Sequence, residues 1–198
     1  MQSYRLQPII KNNDGSILYK EMLTNFYDIN NHLITTDNII KEMEISGGII
    51  NFDLLNLKQA LRISDGLNEA LGVNISARTI GSNKLTEVLY YIKNEANEDK
   101  DLASKIVFEI KEYSKLQNNK DTITNLELLK AIGFKIAADD FGNDHMTFDA
   151  IGIIKPDFIT IRLNDINANI ATIVEHSMTS NFEIIIENII QRKRIQRS

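Results

Sequence analysis

The stretch KIVFEIKEYSKLQNNKDTITNLELLKAIGFKIAADDFG, residues 105–142, decides the fold. Its first apolar run, Ile106-Val107-Phe108, ends in Glu109, with Glu112 just beyond. Its last run, Phe134-Lys135-Ile136-Ala137-Ala138, ends in Asp139 and Asp140. Between them Asp121-Thr122 caps a helix whose apolar stripe is Ile123, Leu126, Leu129 and Ile132, and Gly133 stops it. Strand, helix, strand in this order means parallel pairing with a crossover helix. Both strands carry carboxylates at their C-terminal ends.

The same arrangement recurs outward from this stretch. Ile17-Leu18-Tyr19-Lys20 ends in Glu21, Leu71-Gly72-Val73 ends in Asn74, and Phe182-Glu183-Ile184-Ile185-Ile186 ends in Glu187. A further strand reads over residues 157–163. Helices read over residues 36–46, roughly 51–67, through Leu85 to Asn97, over 147–153 and up to about Met178, the first stopped by Gly47-Gly48. Residues 4–10 and 17–26 form two strands joined by the turn Asn12-Asn13-Asp14-Gly15, so the chain opens with a hairpin. Carboxylates and an amide from different strand ends can meet at one face of a barrel, as an oxygen-rich site for hard divalent cations.

Composition narrows the function classes. The 198 residues are read as one domain with a sizeable core, and 43% hydrophobic with 25% charged residues is ordinary for a soluble globular protein. A net charge of −5 argues against a nucleic acid polymer as the main partner. The basic segment Arg192-Lys193-Arg194, with Arg197, reads as a solvated tail. There is no cysteine, which excludes disulfides, zinc-thiolate sites and cysteine nucleophiles. No run approaches the roughly 18 apolar residues of a membrane span. Met1-Gln2-Ser3-Tyr4-Arg5 leads into no apolar signal segment, so the cytoplasm is the expected compartment.

Asp139-Asp140-Phe141-Gly142 is the sharpest local motif. By itself it also fits an acidic turn before a helix. The Asp-Phe-Gly of protein kinases is excluded, because no Gly-rich loop precedes it and no His-Arg-Asp loop exists. The order of motifs is more specific. Glu21-Met22-Leu23, Asn74-Ile75-Ser76, Glu109-Ile110-Lys111-Glu112 and Asp139-Asp140-Phe141-Gly142 resemble the Glu-Ala-Leu, Asn-x-Ser, Glu-x-x-Glu and Asp-Asp-Phe-Gly motifs of the EAL family of cyclic-di-GMP phosphodiesterases. Gln7-Pro8-Ile9, Glu44-Ile45-Ser46-Gly47 and Ile185-Ile186-Glu187 also resemble flanking features of that family. The resemblance covers nearly the whole chain.

It implies an α/β TIM-like barrel with a reversed first strand, cyclic-di-GMP as ligand, and two Mg²⁺ or Mn²⁺ ions at the strand ends. By this analogy Glu21, Asn74, Glu109 and Asp139 hold one metal, and Asp139, Asp140 and Glu187 the second. Glu112 braces the loop after Asp140. Such a pair of ions serves in-line hydrolysis of a phosphodiester to the linear dinucleotide.

The match breaks in places. The family's Lys-x-Asp strand falls on Thr160 and Arg162, so Thr160 supplies no cation near the attacking water. Arg162 shares a strand face with Thr160. It is read either as an inward cation set about 7 Å further along or as a solvated strand-end residue. If the first holds, Thr160→Lys raises turnover. Ile190 replaces a second Glu, and Asn25 replaces an Arg that contacts the ligand. Asn143-Asp144-His145-Met146-Thr147 replaces the family's Thr-Gly-Tyr-Ser-Ser loop, with His145 a substituted loop residue rather than a ligand.

An eight-unit barrel takes about 250 residues, and eleven follow Glu187 here. The reading is therefore a domain over residues 1–198 that lacks the last strand-helix unit. Its open edge near residues 184–186 is expected to be covered by a second copy or a protein partner, or else to leave a marginally stable barrel. Hydrolysis is expected to be weak or lost. A non-catalytic receptor for the dinucleotide and a protein-interaction module are the alternatives.

Overall fold

Period-two burial organises the whole molecule. In a computed structural model, residues 1–11, 14–95, 104–111, 116–139, 148–162, 177 and 182–187 are described. The chain begins with β1 (Gln2–Ile10), β2 (Ile17–Tyr27) and the short β3 (Leu33–Ile34). Helices α1 (Thr36–Ser46) and α2 (Ile49–Ser64) lead to β4 (Ala70–Ser76). Then come α3 (Ala77–Ile80), α4 (Asn83–Glu95), β5 (Ile106–Lys111), α5 (Lys120–Ile132) and β6 (Lys135–Ala138). Helix α6 (Phe148–Ile154), β7 (Phe158–Arg162) and β8 (Glu183–Glu187) follow.

The strands form one sheet in the order β1-β2-β4-β5-β6-β7-β8, with β3 beside β2. β1 is antiparallel to β2, and every pair from β2–β4 to β7–β8 is parallel. This is the reversed first strand that the hairpin requires, because a short turn joins only antiparallel neighbours. Gly15 takes a positive φ of 72°, and Asp14 Oδ1 accepts from Ser16 N at 2.9 Å and Ser16 Oγ at 2.7 Å. Asn12 and Asn13 lie outside the described residues.

Odd and even strand positions serve two cores. Leu71, Val73 and Ile75 of β4, Ile106, Phe108 and Ile110 of β5, and Ile136 and Ala138 of β6 face outward. They pack on Leu57 and Ala60 of α2, Leu85 and Leu89 of α4, and Leu126 and Leu129 of α5. The alternate positions face inward, where Ile9, Tyr19, Val107, Ala137 and Ile185 form a smaller core. That core joins β1 to β8, so the sheet curls into a barrel. Among the described residues β8 pairs only with β7 and β1 only with β2, and the curl stays open between them.

Several local expectations shift. Helix α1 keeps the expected bounds but has no side-chain cap, and the Thr36 hydroxyl donates to Thr24 O at 3.2 Å. Helix α2 starts at Ile49 rather than near Asn51, directly after Gly47 ends α1 at a φ of 78°. Helix α5 is capped by Asn119, not Asp121-Thr122; the Asn119 side chain accepts from Thr122 N at 3.0 Å. Its buried face is also turned from the expected stripe. Ile123 is 42% exposed, while Asn125 is buried and donates to Ile80 O at 2.7 Å and Ser82 O at 3.0 Å. The Asn125 amide thus satisfies the carbonyls that end α3, and this outweighs the burial of one isoleucine. The helix expected to reach Met178 lies, apart from the helical Ser177, outside the described residues.

Candidate functional site at the strand ends

Inward positions on four neighbouring strands collect the oxygen donors, Glu21 from the middle of β2 and Asn74, Glu109 and Asp139 from at or near the C-terminal ends of β4, β5 and β6. Register pairs Glu21 with Gly72, Asn74 with Glu109, and Glu109 with Ala137, one inward step before Asp139. Parallel pairing therefore brings Glu21, Asn74, Glu109 and Asp139 side by side along the barrel mouth. Thr160, inward on β7, completes the row, and its hydroxyl donates to Asp139 Oδ1 at 2.6 Å.

Asn74 Nδ2 donates to Glu21 Oε1 at 2.9 Å. This leaves Asn74 Oδ1, a buried carbonyl oxygen, with no hydrogen-bond partner. An orphaned acceptor among carboxylates is suited to a cation. Glu109 is only 3% exposed. Burial first, and then the charges of Glu21 and Asp139, hold its carboxyl well above the usual carboxylate range. Glu21, Asn74 and Glu109 thus offer two carboxylates and a carbonyl oxygen that fit one hard divalent ion, which would neutralise the crowding that now falls on Glu109.

Two neighbours shape the floor. Tyr19 is buried in the inner core beside Glu109, and burial followed by the charge of Glu109 pushes its ionisation far up. Gly72 makes room for it. A Cβ there would meet Glu109 Oε1 at 2.7 Å and Tyr19 Cε2 at 2.7 Å.

Ser76 explains the Asn-x-Ser spacing. It caps α3, accepting from Thr79 N at 3.2 Å, and donates from its own N at 2.9 Å and its Oγ at 2.8 Å to Asp53 Oδ2. Thr79 Oγ1 donates to the same oxygen at 2.6 Å. Buried Asp53 therefore fixes the strand end that carries Asn74.

Lys111 is two residues beyond Glu109 on the same face of β5, and its Nζ is 3.4 Å from Asp139 Oδ2. Partial burial opposes its charge, but Asp139, Glu21 and Glu109 outweigh this and raise its pKa to about 12. Among the described residues, no three Asp, Glu, His or Cys side chains are gathered for a metal. Lys111 and Thr160 engage Asp139 instead. Beside the row lies an open cleft of about 460 Å³, lined by Asn74, Lys111, Leu23, Asn25, Ile40 and Glu44 among others. That is within the usual range for a small-molecule site.

Of the remaining expected site residues, Glu112 and Asp140 lie outside the described residues, as do His145 and Ile190. Arg162 and Glu187 are register partners at the ends of β7 and β8, and their side chains are outside the described set. Lys111, Asp53, Tyr19 and Gly72 were missed by sequence reasoning. Only Lys111 carried a usable signal, its two-residue offset from Glu109.

Comparison with known proteins gives three results. The family model described as the EAL domain matches residues 3–194. No curated protein matches the sequence. Solved structures share the fold. Vibrio cholerae LapD (S helix-GGDEF-EAL, apo) has a TM-score of 0.77 at 15% identity, over 93% of this chain and 47% of that one. The Bacillus subtilis YkuI protein, with an EAL domain and in complex with substrate c-di-GMP and calcium, has a TM-score of 0.74 at 17% identity, over 96% and 48%. The PaMucR phosphodiesterase, in complex with c-di-GMP, has a TM-score of 0.76 at 21% identity, over 96% and 86%. The chain thus spans about half the length of the LapD and YkuI chains. Among the described residues no helix is long and apolar enough to cross a membrane.

Proposed function

The chain belongs to the EAL domain family, and from that premise we propose that it is a single domain that binds cyclic-di-GMP beside a divalent cation and hydrolyses it slowly or not at all. The observation that carries this reading is the unpartnered Asn74 Oδ1 amid Glu21, Glu109 and Asp139 at the strand ends. Related proteins support the ligand, since YkuI and PaMucR are described in complex with c-di-GMP.

In this reading Glu21, Asn74 and Glu109 hold Mg²⁺ or Mn²⁺ through oxygen. A bound divalent ion would polarise a phosphodiester and acidify a water. Tyr19 and the inner core close the floor against solvent. Asp53, through Ser76, keeps the Asn74 strand end from drifting. Glu112 takes the bracing role that the family analogy gives it, Asp140 and Glu187 remain as carboxylates with no second ion assigned to them, and Arg162 lies further along the strand from Thr160.

Turnover is the part most altered. Thr160 is 2% exposed and spends its hydroxyl on Asp139, so β7 presents no ammonium at this position. A missing electrostatic contact of this kind costs roughly 3–4 kcal/mol of transition-state stabilisation. The same observation favours a second reading, a receptor that binds the dinucleotide and signals through a population shift.

Titration calorimetry with cyclic-di-GMP and Mn²⁺, followed by chromatography of the same sample, separates the two. Linear dinucleotide that vanishes in Glu21→Ala supports the enzyme, and heat without product supports the receptor. Neither heat nor product overturns both.

A further inference from the structure

The two oxygens of Asp139 are spoken for from opposite sides. Thr160 Oγ1 donates to Oδ1 at 2.6 Å from β7, and Lys111 Nζ stands 3.4 Å from Oδ2 on the β5 side. Lys111 reaches this point because it shares the inward face of β5 with Glu109. Its side chain is 47% exposed, so the ammonium faces both the acid row and the cleft that Asn74 also lines. On the other side of the row, Asn74 Oδ1 is buried without a partner, although Nδ2 of the same amide is bonded to Glu21. The row is thus divided. Its Glu21–Asn74–Glu109 part has an acceptor in want of a cation, and its Asp139 part already has one.

We propose that Lys111 stands in for a second metal ion, so that this domain holds one divalent cation at Glu21, Asn74 and Glu109 and uses the Lys111 ammonium as the other positive charge facing the ligand. The inference rests on the EAL reading of the site, in which Asp139 would otherwise serve two ions. An ammonium and a divalent cation compete for the same carboxylate oxygen. The tethered one is always present, and its like charge repels an ion arriving at Asp139. The positive charge that position 160 lacks on β7 is thereby supplied from β5, on the other side of the Asp139 strand. Lys111 gives the site one positive charge where a metal would give two. Phosphate attraction is kept, and the ability to polarise a water there is lost. Binding with slow turnover follows from this exchange.

Manganese titration of the full chain, read by the paramagnetic signal of free Mn²⁺, tests it on wild type, Lys111→Thr and Lys111→Arg. One ion is expected in wild type and in Lys111→Arg. Lys111→Thr should take up a second, with its affinity there improved by roughly tenfold or more, because a like charge a few ångströms away repels by that much even at a high effective dielectric. Thermal melts of the three proteins establish that all are folded. Two ions in wild type, or one ion in all three, overturns this inference and leaves the proposed function standing. No ion in any of them overturns the proposed function, and this inference with it.

Discussion

Replacing Gly72 with alanine tests whether the floor of the site is built as tightly as its geometry implies. The added Cβ would stand 2.7 Å from Glu109 Oε1 and 2.7 Å from Tyr19 Cε2, where ordinary contact begins near 3.4 Å. Both neighbours, or the strand between them, must therefore give by about 0.7 Å. Tyr19 is 1% exposed and Glu109 3%, so neither has open space to enter. Overpacking of this kind costs about 1–3 kcal/mol. Loss of glycine's freedom in the unfolded chain offsets about 0.4–1 kcal/mol. The net loss is about 0–2.6 kcal/mol, centred near 1.3, and at about 2–4 °C per kcal/mol for a chain of this size Tm falls by up to about 10 °C, with about 3–5 °C expected. If Glu109 gives way, its oxygen leaves its place by more than the ~0.2 Å tolerance of metal-ligand distances, and Mn²⁺ affinity drops as well. Thermal melts and Mn²⁺ titration of Gly72→Ala, alone and with Tyr19→Leu, read both effects. The Tyr19→Leu background should absorb part of the cost, because one of the two clashes is gone. An unchanged Tm together with unchanged Mn²⁺ binding in Gly72→Ala would refute the reasoning.

Three further predictions address the acid row and its support. Glu109 holds its proton above the usual 4.5, because burial and then Glu21 and Asp139 disfavour its charge. The folded state therefore binds a proton that the unfolded state has lost, and metal-free stability falls as pH rises from about 4.5 through the folded pKa. Melts between about pH 5 and pH 8 should show that decline in wild type and a flatter profile in Glu109→Gln, with Mn²⁺ restoring stability at the alkaline end in wild type only. Asp53→Ala strands the donors of Ser76 and Thr79 and should cost about 1–3 kcal/mol in urea unfolding while weakening Mn²⁺ binding; equal stability would show that Asp53 does not brace the Asn74 strand end. Thr160→Lys should raise linear-dinucleotide formation, and raise it more when Lys111→Thr removes the like charge beside Asp139. Chromatography of the product checks this, and no gain in either protein sinks it.

Local patterns were read correctly where one short segment decides its own conformation. Asp14-Gly15 forces a tight reversal, and the reversed first strand follows from it. Gly47 and Gly133 take positive φ values of 78° and 104° and end their helices where the sequence places the stops. Apolar runs ending in acids became strands because both sheet faces are buried, outward against helices and inward at the barrel axis. The differences have two origins, one distant and one local. Ile123 lost its expected burial to Asn125, whose amide answers carbonyls about 45 residues away. The α5 cap moved to Asn119 because an Asx side chain just outside the first turn reaches the Thr122 amide.

The sequence by itself determined the direction of the strands and the presence of oxygen-bearing side chains at Glu21, Asn74, Glu109 and Asp139 on one alternation phase, since these depend on period-two alternation and on turn residues acting over a few positions. Only the tertiary structure decided which donors are satisfied. That Asn74 keeps an orphaned carbonyl, that Gly72 makes room for Tyr19 and Glu109, that Asp53 of α2 holds Ser76, and that Lys111 takes a cation's place at Asp139 all depend on atoms from different elements meeting within about 3.5 Å. Contacts of that range are set by register and barrel curvature, which no single segment encodes.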